Sequence, residues 1–565
     1  MSKKITNIAA VMWVVFSFAF VIILMKTGHV NFETNDDVIM AQITAGVFKK
    51  YSAYNVFSNI VLGLFLAGFT KVAPGINWPT MLDLGFIAIS YAMLGVVCIK
   101  ASRKVNLISV LLPLTLIMST FNTLILGINF SKVGAIMFFT GFLVILFSLD
   151  NRTGDEGQEI SDNRFLRIIG YIMFVAGSLV RFDSVKAMAP FAAILVIYFC
   201  IKSRNISKII RLIAPCIVVA LLWIVNFFVY NTPEWKAYNR YEKVCVDMQD
   251  FYGFPDYEKH IEEYEALGLN EHDAIMFACY IHADDDVFSL ETIESLRDMA
   301  REDFKKTIDY EYIKQIAKSV FYLAGSQTII LVVIMVFAVT AFAIPIKYLP
   351  YSGAAVLLMI AELAYLYHIN RVLERSLVLP VIGAFLTLIY LLVCNTQESS
   401  QVAWSAAVVM ICIAVYAFFT RGMCEIRNLP VYITPDKENL EDLNLELQSQ
   451  PENLYIWDYQ SYADASQQYA SPLDEYPANF MGNSLVLGAW PVEMPLMREI
   501  ASPFGDPGNL MRILTENPNA YYVFENNNPY MTVEAMEQYI RDHYNPTASF
   551  SKVEAVGGYT IYSVE

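Results

Sequence analysis

The sequence predicts a polytopic α-helical membrane protein of about 11 transmembrane helices, carrying an extracytoplasmic α/β domain at its C-terminal end. Three observations predict it. Of 565 residues, 56% are hydrophobic and 17% charged, whereas soluble domains carry about 25% charge, and mean hydropathy is +0.43. The apolar residues are gathered in runs near 8–26, 80–99, 106–124, 132–149, 165–180, 187–202, 209–230, 318–346, 351–368, 376–394 and 402–420. Beyond about residue 425 the runs stop and a polar, Tyr-rich sequence follows.

A bilayer core about 30 Å thick needs roughly 20 apolar residues per helix, so runs of this length read as crossings. One water-soluble domain cannot bury so many. The first run is too long for a cleavable signal, and no small-residue cleavage site closes it. A shorter run at 56–71 is expected to be re-entrant or interfacial, because the charge rule demands it. Lys3 and Lys4 place the N-terminus in the cytoplasm, and the basic loops Lys100/Arg103/Lys104 and Lys202/Arg204/Lys208/Arg211 fall on the same side only if 56–71 does not cross. Residues 27–79, the 126–131 turn, Arg181–Asp183, the loop 231–316, the 369–375 turn and everything after about 422 then face outside. Residues 1–424 form the membrane domain, with outer loops 27–79 and 231–316, and 425–565 the outer domain.

Composition excludes several classes. Net charge is −16, and nucleic-acid phosphates need clustered Lys and Arg. Eight cysteines make no disulfide framework, and neither CxxC nor HExxH occurs. No repeats appear.

In the loop 231–316, helices are expected around 257–267 and 289–315, the second capped by Ser289. Cys245 and Cys279 either pair or remain two free thiols. Trp235, Tyr238 and Tyr241, spaced by three, form a packed helix face or a sugar-stacking stripe. The acidic run His282-Ala283-Asp284-Asp285-Asp286 reads as a solvated loop rather than a metal site, because its residues are consecutive. His29 reads as interfacial.

In 425–565, YIWDY (455–459), SLVLGAW (484–490) and YYVFE (521–525) read as strands, 531–544 as an amphipathic helix, and the last fifteen residues as a hairpin turning at Gly557-Gly558. The polar stretch 435–453 reads as a surface loop or linker.

The segment Asn31-Phe32-Glu33-Thr34-Asn35-Asp36-Asp37-Val38-Ile39-Met40 puts three carboxylates where the first membrane helix ends. Val38, Ile39, Ile43 and Val47 suggest a short helix along the membrane surface, capped by Asn35 or Asp36. Alternatively the acids supply a general base. An acceptor hydroxyl has a high pKa, so its attack on a sugar carbon gains from an adjacent carboxylate. A second carboxylate orients the first or binds a divalent cation, Mg or Mn.

The run ETNDDVIMAQITAG resembles the first-loop acidic motif of GT-C type membrane glycosyltransferases, in particular bacterial multispanning proteins related to polyprenyl-phosphate-sugar glucosyltransferases. Pro74-Gly75-Ile76-Asn77-Trp78 resembles their P-x-I-N-W turn, and Ile128-Asn129-Phe130-Ser131-Lys132 their N-F-[ST]-K segment. Arg181-Phe182-Asp183 resembles R-x-[DE], and Asn370-Arg371 with Arg375 resembles G-R-x-x-x-R, with Asn where Gly is usual. The resemblance spans roughly 30–380 and implies a GT-C-like fold and a hexosyltransferase of the cell envelope. The implied donor is a polyprenyl-phosphate-linked sugar, whose tail stays in the lipid bilayer, and the acceptor a glycan or glycolipid. Asp36 or Asp37 would be the base of an inverting displacement. Glu33, Lys132, Arg181, Asp183, Arg371 and Arg375 would bind substrate, Arg being suited to phosphate by its planar fork. The rival reading is a non-catalytic flippase, export or assembly protein for lipid-linked sugars.

Overall fold

The computed structural model describes residues 3–27, 30–101, 107–150, 163–306, 308–396, 400–422, 437–468, 472–474, 476 and 481–565. His29, Arg103, Lys104 and the chain from 423 to 436 lie outside the described residues.

Eight of the described helices are long and apolar enough to cross a membrane: Lys4–Lys26, Trp78–Ala101, Ser109–Leu126, Phe130–Leu149, Phe182–Ser203, Ile206–Val229, Ile346–His368 and Glu374–Asn395. The protein is a multi-pass membrane protein. The helix Arg164–Val180 is apolar but has 17 residues. The run 318–346, expected as one crossing, is instead two helices, Tyr310–Ser326 and Thr328–Ala343, meeting at 88°. Gln327 between them is extended, and the first helix is amphipathic, exposing Tyr310, Ile313, Phe321 and Tyr322. That is the pattern of a helix lying in the interface. Helices Phe130–Leu149 and Glu374–Asn395 are buried along nearly their whole length and form the centre. Ile206–Val229 sits on the rim, exposing Ile217, Leu221 and Phe228.

The tightest helix pair is Phe130–Leu149 against Arg164–Val180. A Cβ on Gly177 would lie 2.3 Å from the Phe138 backbone nitrogen, and one on Gly141 2.5 Å from that of Phe174. Only glycine permits this approach, as small residues do in membrane helix pairs generally. The close contact sets Arg181, just past the second helix, beside Phe130, the first residue of the other.

Helix ends gather at two levels. At one, Lys202 pairs with Asp150 at 2.8 Å, and Tyr198 bonds Asn395 and packs on Tyr348. At the other lie the ends carrying Asp37, Phe130, Arg181 and Arg371. Helix Trp78–Ala101 also begins there, with Asp83 in electrostatic reach of Asp37. The helix Ile60–Val72 therefore starts and ends on that one side. Its first turn is tied by Asn59 to Leu222 O and by Ile60 N to Asn226, and Trp78 Nε1 closes its far end on Ala73 O.

A two-stranded parallel ribbon, β1 (Asn31–Phe32) and β2 (Gly127–Ile128), joins the first outer loop to the 127–130 turn. The C-terminal sheet contains β3 (Leu454–Trp457), β4 (Ser484–Val486), β5 (Ala520–Glu525), β6 (Phe550–Val556) and β7 (Tyr559–Val564) in the order β4-β3-β5-β7-β6. β3 is parallel to β4 and β5, and the β6–β7 hairpin turns at Gly557-Gly558, both at positive φ. The expected strands, the helix Val533–His543 and this turn are present. The stretch 435–453 is not a linker. It contains the helix Lys437–Ser449, whose Leu443 and Leu447, one turn apart, are buried against the sheet domain.

The outer loop shares one hydrophobic core with this sheet. In the run 282–286, expected as a solvated loop, His282, Ala283 and Asp284 are buried as a docking segment while Asp285 and Asp286 stay exposed. His282 and Ala283 donate their backbone N–H groups to Leu487 O, and Asp284 accepts from Tyr539 (2.8 Å), Tyr544 (2.5 Å) and Asn509 (3.2 Å). Asp285 and Asp286 pair with Arg498 and Arg512. Burial pushes His282 down to about 4, so it is neutral. Ser289 caps helix Leu290–Asp303 as expected, but 289–315 is not one helix, since the chain breaks before Tyr310. Cys245 and Cys279 are free thiols. Trp235, Tyr238 and Tyr241 are a packed face: Trp235 stacks on Tyr54 and Tyr238 donates to Trp490 O at 2.9 Å.

Candidate active site

The chain enters the site at Thr34. The helix Asn35–Ala45 follows, with Thr34 rather than Asn35 or Asp36 at its N-cap position. It is not an exposed amphipathic helix: Asp37 to Thr44 are all buried, Gln42 accepts from Tyr462 of the C-terminal domain, and Met481 N donates to Val47 O. Asn35 likewise bonds Tyr459. The first outer loop is thus clamped between membrane helices and outer domain.

The two neighbouring acids have different surroundings. Asp37 points inward, where its oxygens accept from the Thr34 hydroxyl (2.7 Å), the Asn129 amide (3.0 Å) and Phe130 N (2.9 Å). It does not reach the cavity. Burial still pushes its carboxyl up to about 7, against those hydrogen bonds. Asp36 faces a cavity of about 870 Å³. Burial raises its pKa above the ordinary carboxylate value, opposed by Arg375 and then Arg181. Trp490 also favours its charge, though the indole N–H makes no hydrogen bond of normal geometry.

The same cavity is lined by Arg181, Arg371 and Arg375. Arg375 Nη2 is 3.5 Å from Asp36 Oδ2. Arg181 lies over the rings of Phe57 (4.8 Å) and Phe130 (5.0 Å) and pairs with Asp183 at 3.3 Å. Burial lowers the Arg181 pKa, opposed by Asp183 and Asp36. Arg371 pairs with Asp250 and covers the Phe251 ring at 5.2 Å. Asn370, at the position where the resembled motif has Gly, has φ +60°. Asn and Gly are the residues that adopt this conformation at least cost, so the departure keeps the turn that aims Arg371.

Besides Asp37, two of the candidate residues, Lys132 and Glu33, lie outside the cavity. Lys132 is buried and pairs with Glu33 at 2.8 Å, so both stabilise the β1–β2 junction behind the cavity. Asp183 is on the cavity wall, shared between Arg181 and Lys186 (2.8 Å). The cavity also uses residues with no signature in the sequence: Glu242, Asp250, Tyr280, Tyr459 and Trp490. They come from the outer loop and outer domain, and no local spacing marks them.

A resident cation does not fit these residues. Among the described residues no group of three or more His, Cys, Asp or Glu is placed to hold a metal, and Asp36 and Asp250 are already matched to guanidiniums. Each guanidinium has five N–H donors, and a single carboxylate uses at most two. The cavity therefore presents unused donors at the ends of membrane helices, beside the Asp36 carboxylate, which can accept a proton.

Two solved structures are similar along the whole chain. One is ArnT from Cupriavidus metallidurans bound to undecaprenyl phosphate, at 12% identity, 98% coverage of each chain and a TM-score of 0.42. The other is the same protein in the apo state, at 11% identity, 98% coverage of each chain and 0.40. No protein-family model and no curated protein matches the chain. A likeness at that level aligns no individual residue, so function rests on the chemistry of the cavity.

Proposed function

We propose that the protein is a membrane glycosyltransferase of the GT-C type, moving a sugar from a polyprenyl-phosphate carrier to a glycan or glycolipid acceptor of the cell envelope. The observation that carries the proposal is the placing of the Asp36 carboxylate and three guanidiniums in a single cavity at the ends of membrane helices. Arg371, Arg375 and Arg181 hold the donor phosphate through their free N–H groups. Asp36 takes the proton of the acceptor hydroxyl as its oxygen attacks the anomeric carbon. The carbon–oxygen bond to phosphate breaks, and the polyprenyl phosphate leaves with the electron pair. The configuration inverts. A phosphate leaves without a strong acid, and the guanidiniums offset its growing charge. Asp37, Glu33 and Lys132 position Asp36 by fixing the loop that carries it.

In this reading the chain crosses eleven times. The eight long helices are joined by Arg164–Val180, Thr328–Ala343 and Ser400–Ala417. The N-terminus is then cytoplasmic and the cavity and C-terminal domain extracytoplasmic, a reading supported by the basic Lys202 at the level opposite the cavity.

Purified protein given a radiolabelled polyprenyl-phosphate hexose and a membrane glycolipid extract tests the proposal. Wild type transfers label and Asp36→Asn does not, while both bind the lipid. Lipid movement between leaflets with no transfer by wild type supports the flippase instead.

A further inference from the structure

Like Glu362, Glu242 is a cavity carboxyl that no cation answers among the described residues. It lies on the helix Pro233–Val246, next to Tyr241, on the wall of the cavity that holds Asp36. Asp36 has Arg375, Asp183 has Arg181 and Lys186, and Asp250 has Arg371. Among the described residues Glu242 has no ion pair or hydrogen bond, and the groups in electrostatic reach are Asp36, Asp250, Tyr238, Tyr241 and Cys245. None of them is a cation. The lining as a whole holds four cations, Arg181, Lys186, Arg371 and Arg375, against five carboxyls, Asp36, Asp183, Glu242, Asp250 and Glu362. With every group charged, the cavity would be net negative before an anionic lipid arrived, and it would repel the phosphate.

We propose that Glu242 is a substrate-binding residue that works as a neutral carboxylic acid, hydrogen-bonding a hydroxyl of an uncharged sugar on the donor, and that its ionisation expels the donor. The inference rests on the glycosyltransferase reading of this cavity. A neutral acid suits the task chemically: its O–H donates and its carbonyl accepts, so one group can engage a sugar hydroxyl in both senses. It also spares the cavity a charge. Burial, then Asp36 and Asp250, push its pKa up to about 8. It is therefore neutral at neutral pH and gains charge in mildly alkaline solution. Burial raises the Asp36 pKa too, but there Arg375 and Arg181 oppose it, whereas no cation opposes it at Glu242. The two acids divide the work of accepting a proton and holding a hydroxyl.

The test measures binding to the full-length protein in detergent, by intrinsic tryptophan fluorescence, from about pH 6.5 to about pH 9.5. Two ligands are used, bare polyprenyl phosphate and a polyprenyl-phosphate hexose. For wild type, the dissociation constants of both ligands rise about tenfold above pH 8, as a new anion faces the phosphate. Glu242→Gln keeps the neutral-pH affinities and removes the alkaline rise. The lipid's own ionisation is common to both proteins, so the difference reads Glu242. Glu242→Met also removes the rise, but it weakens only the sugar-bearing ligand, by about tenfold, through the lost hydrogen bond. An alkaline rise that survives in Glu242→Gln overturns the inference, as does a Glu242→Met protein that holds the sugar-bearing ligand as tightly as wild type. Wild type that binds as described yet never transfers sugar overturns the enzyme reading and leaves this one supported as a binding role. Failure to bind either lipid at any pH overturns both.

Discussion

Arg375 Nη2 stands 3.5 Å from Asp36 Oδ2, joining a carboxylate from the first outer loop to a guanidinium at the start of the helix Glu374–Asn395. In the proposed reaction the pair puts the proton acceptor next to a phosphate-binding group, two things a sugar transfer needs within one sugar's width. Neighbouring Asp37 faces the other way.

The two acids should separate in experiment. Asp36→Asn lowers kcat by roughly 10²–10⁴-fold, the usual worth of a general base, and leaves the melting temperature unchanged. Asp37→Ala strands three donors from Thr34, Asn129 and Phe130, so it lowers the melting temperature and the yield of folded protein. Paired melting curves and initial rates check both.

Arg371→Ala raises the donor KM about 10–100-fold, the range for a lost hydrogen bond to a charged group. Arg371→Lys recovers little of this, because an ammonium cannot supply the guanidinium fork or lie flat on Phe251. Steady-state kinetics at fixed acceptor decides it.

The pH profile of kcat has an acid limb from Asp36. A base works only when deprotonated, and burial has raised this pKa above the ordinary carboxylate value. Activity therefore climbs as pH rises through that raised value and is already falling at acidities where an exposed Asp would still be ionised. Arg375→Gln removes the largest of the opposing charges, so it moves the limb to higher pH. A limb that stays put in Arg375→Gln would show that another group titrates.

Gly177→Leu should disrupt the pair of helices that sets Arg181 beside Phe130. Its Cβ would meet the Phe138 backbone nitrogen at 2.3 Å, so backbones must move apart. Overpacking of this kind costs about 1–3 kcal/mol. Thermal unfolding in detergent reads the loss, and Gly353→Leu, at a position with open space around the missing Cβ, is the control that shows none.

A cysteine in place of Ser203 should react with an impermeant maleimide only from the cytoplasmic side of sealed vesicles. Ser203 ends a span beside Lys202 and Asp150, on the level opposite the cavity.

The membrane helices were legible because apolar run length alone marks them, and the outer strands because aromatic and β-branched residues cluster there. Three features were hidden. The bend at Gln327 lies inside an apolar run, where hydropathy has no contrast. The helix Lys437–Ser449 has only a narrow apolar stripe among Glu and Asn, so composition read it as solvent-exposed. The buried state of His282 and Asp284 depends on Leu487, Tyr539 and Tyr544, far away in sequence. In the cavity, Asp36, Arg181, Arg371 and Arg375 were legible because they lie at the ends of apolar runs in segments that resemble GT-C motifs. The exclusion of Asp37 and the pairing of Lys132 with Glu33 were not, since one residue of helix rotation decides which way a side chain faces. Glu242, Asp250 and Trp490 reach the cavity only through the packing of the outer domain.

The most direct measurement is a cryo-EM map of the full-length protein with polyprenyl phosphate added. The account predicts phosphate density within hydrogen-bond reach of Arg371 and Arg375, beside Asp36, with the lipid tail leaving the same cavity between membrane helices. Phosphate bound elsewhere, with that cavity empty and the Asp36–Arg375 contact unchanged, would contradict it.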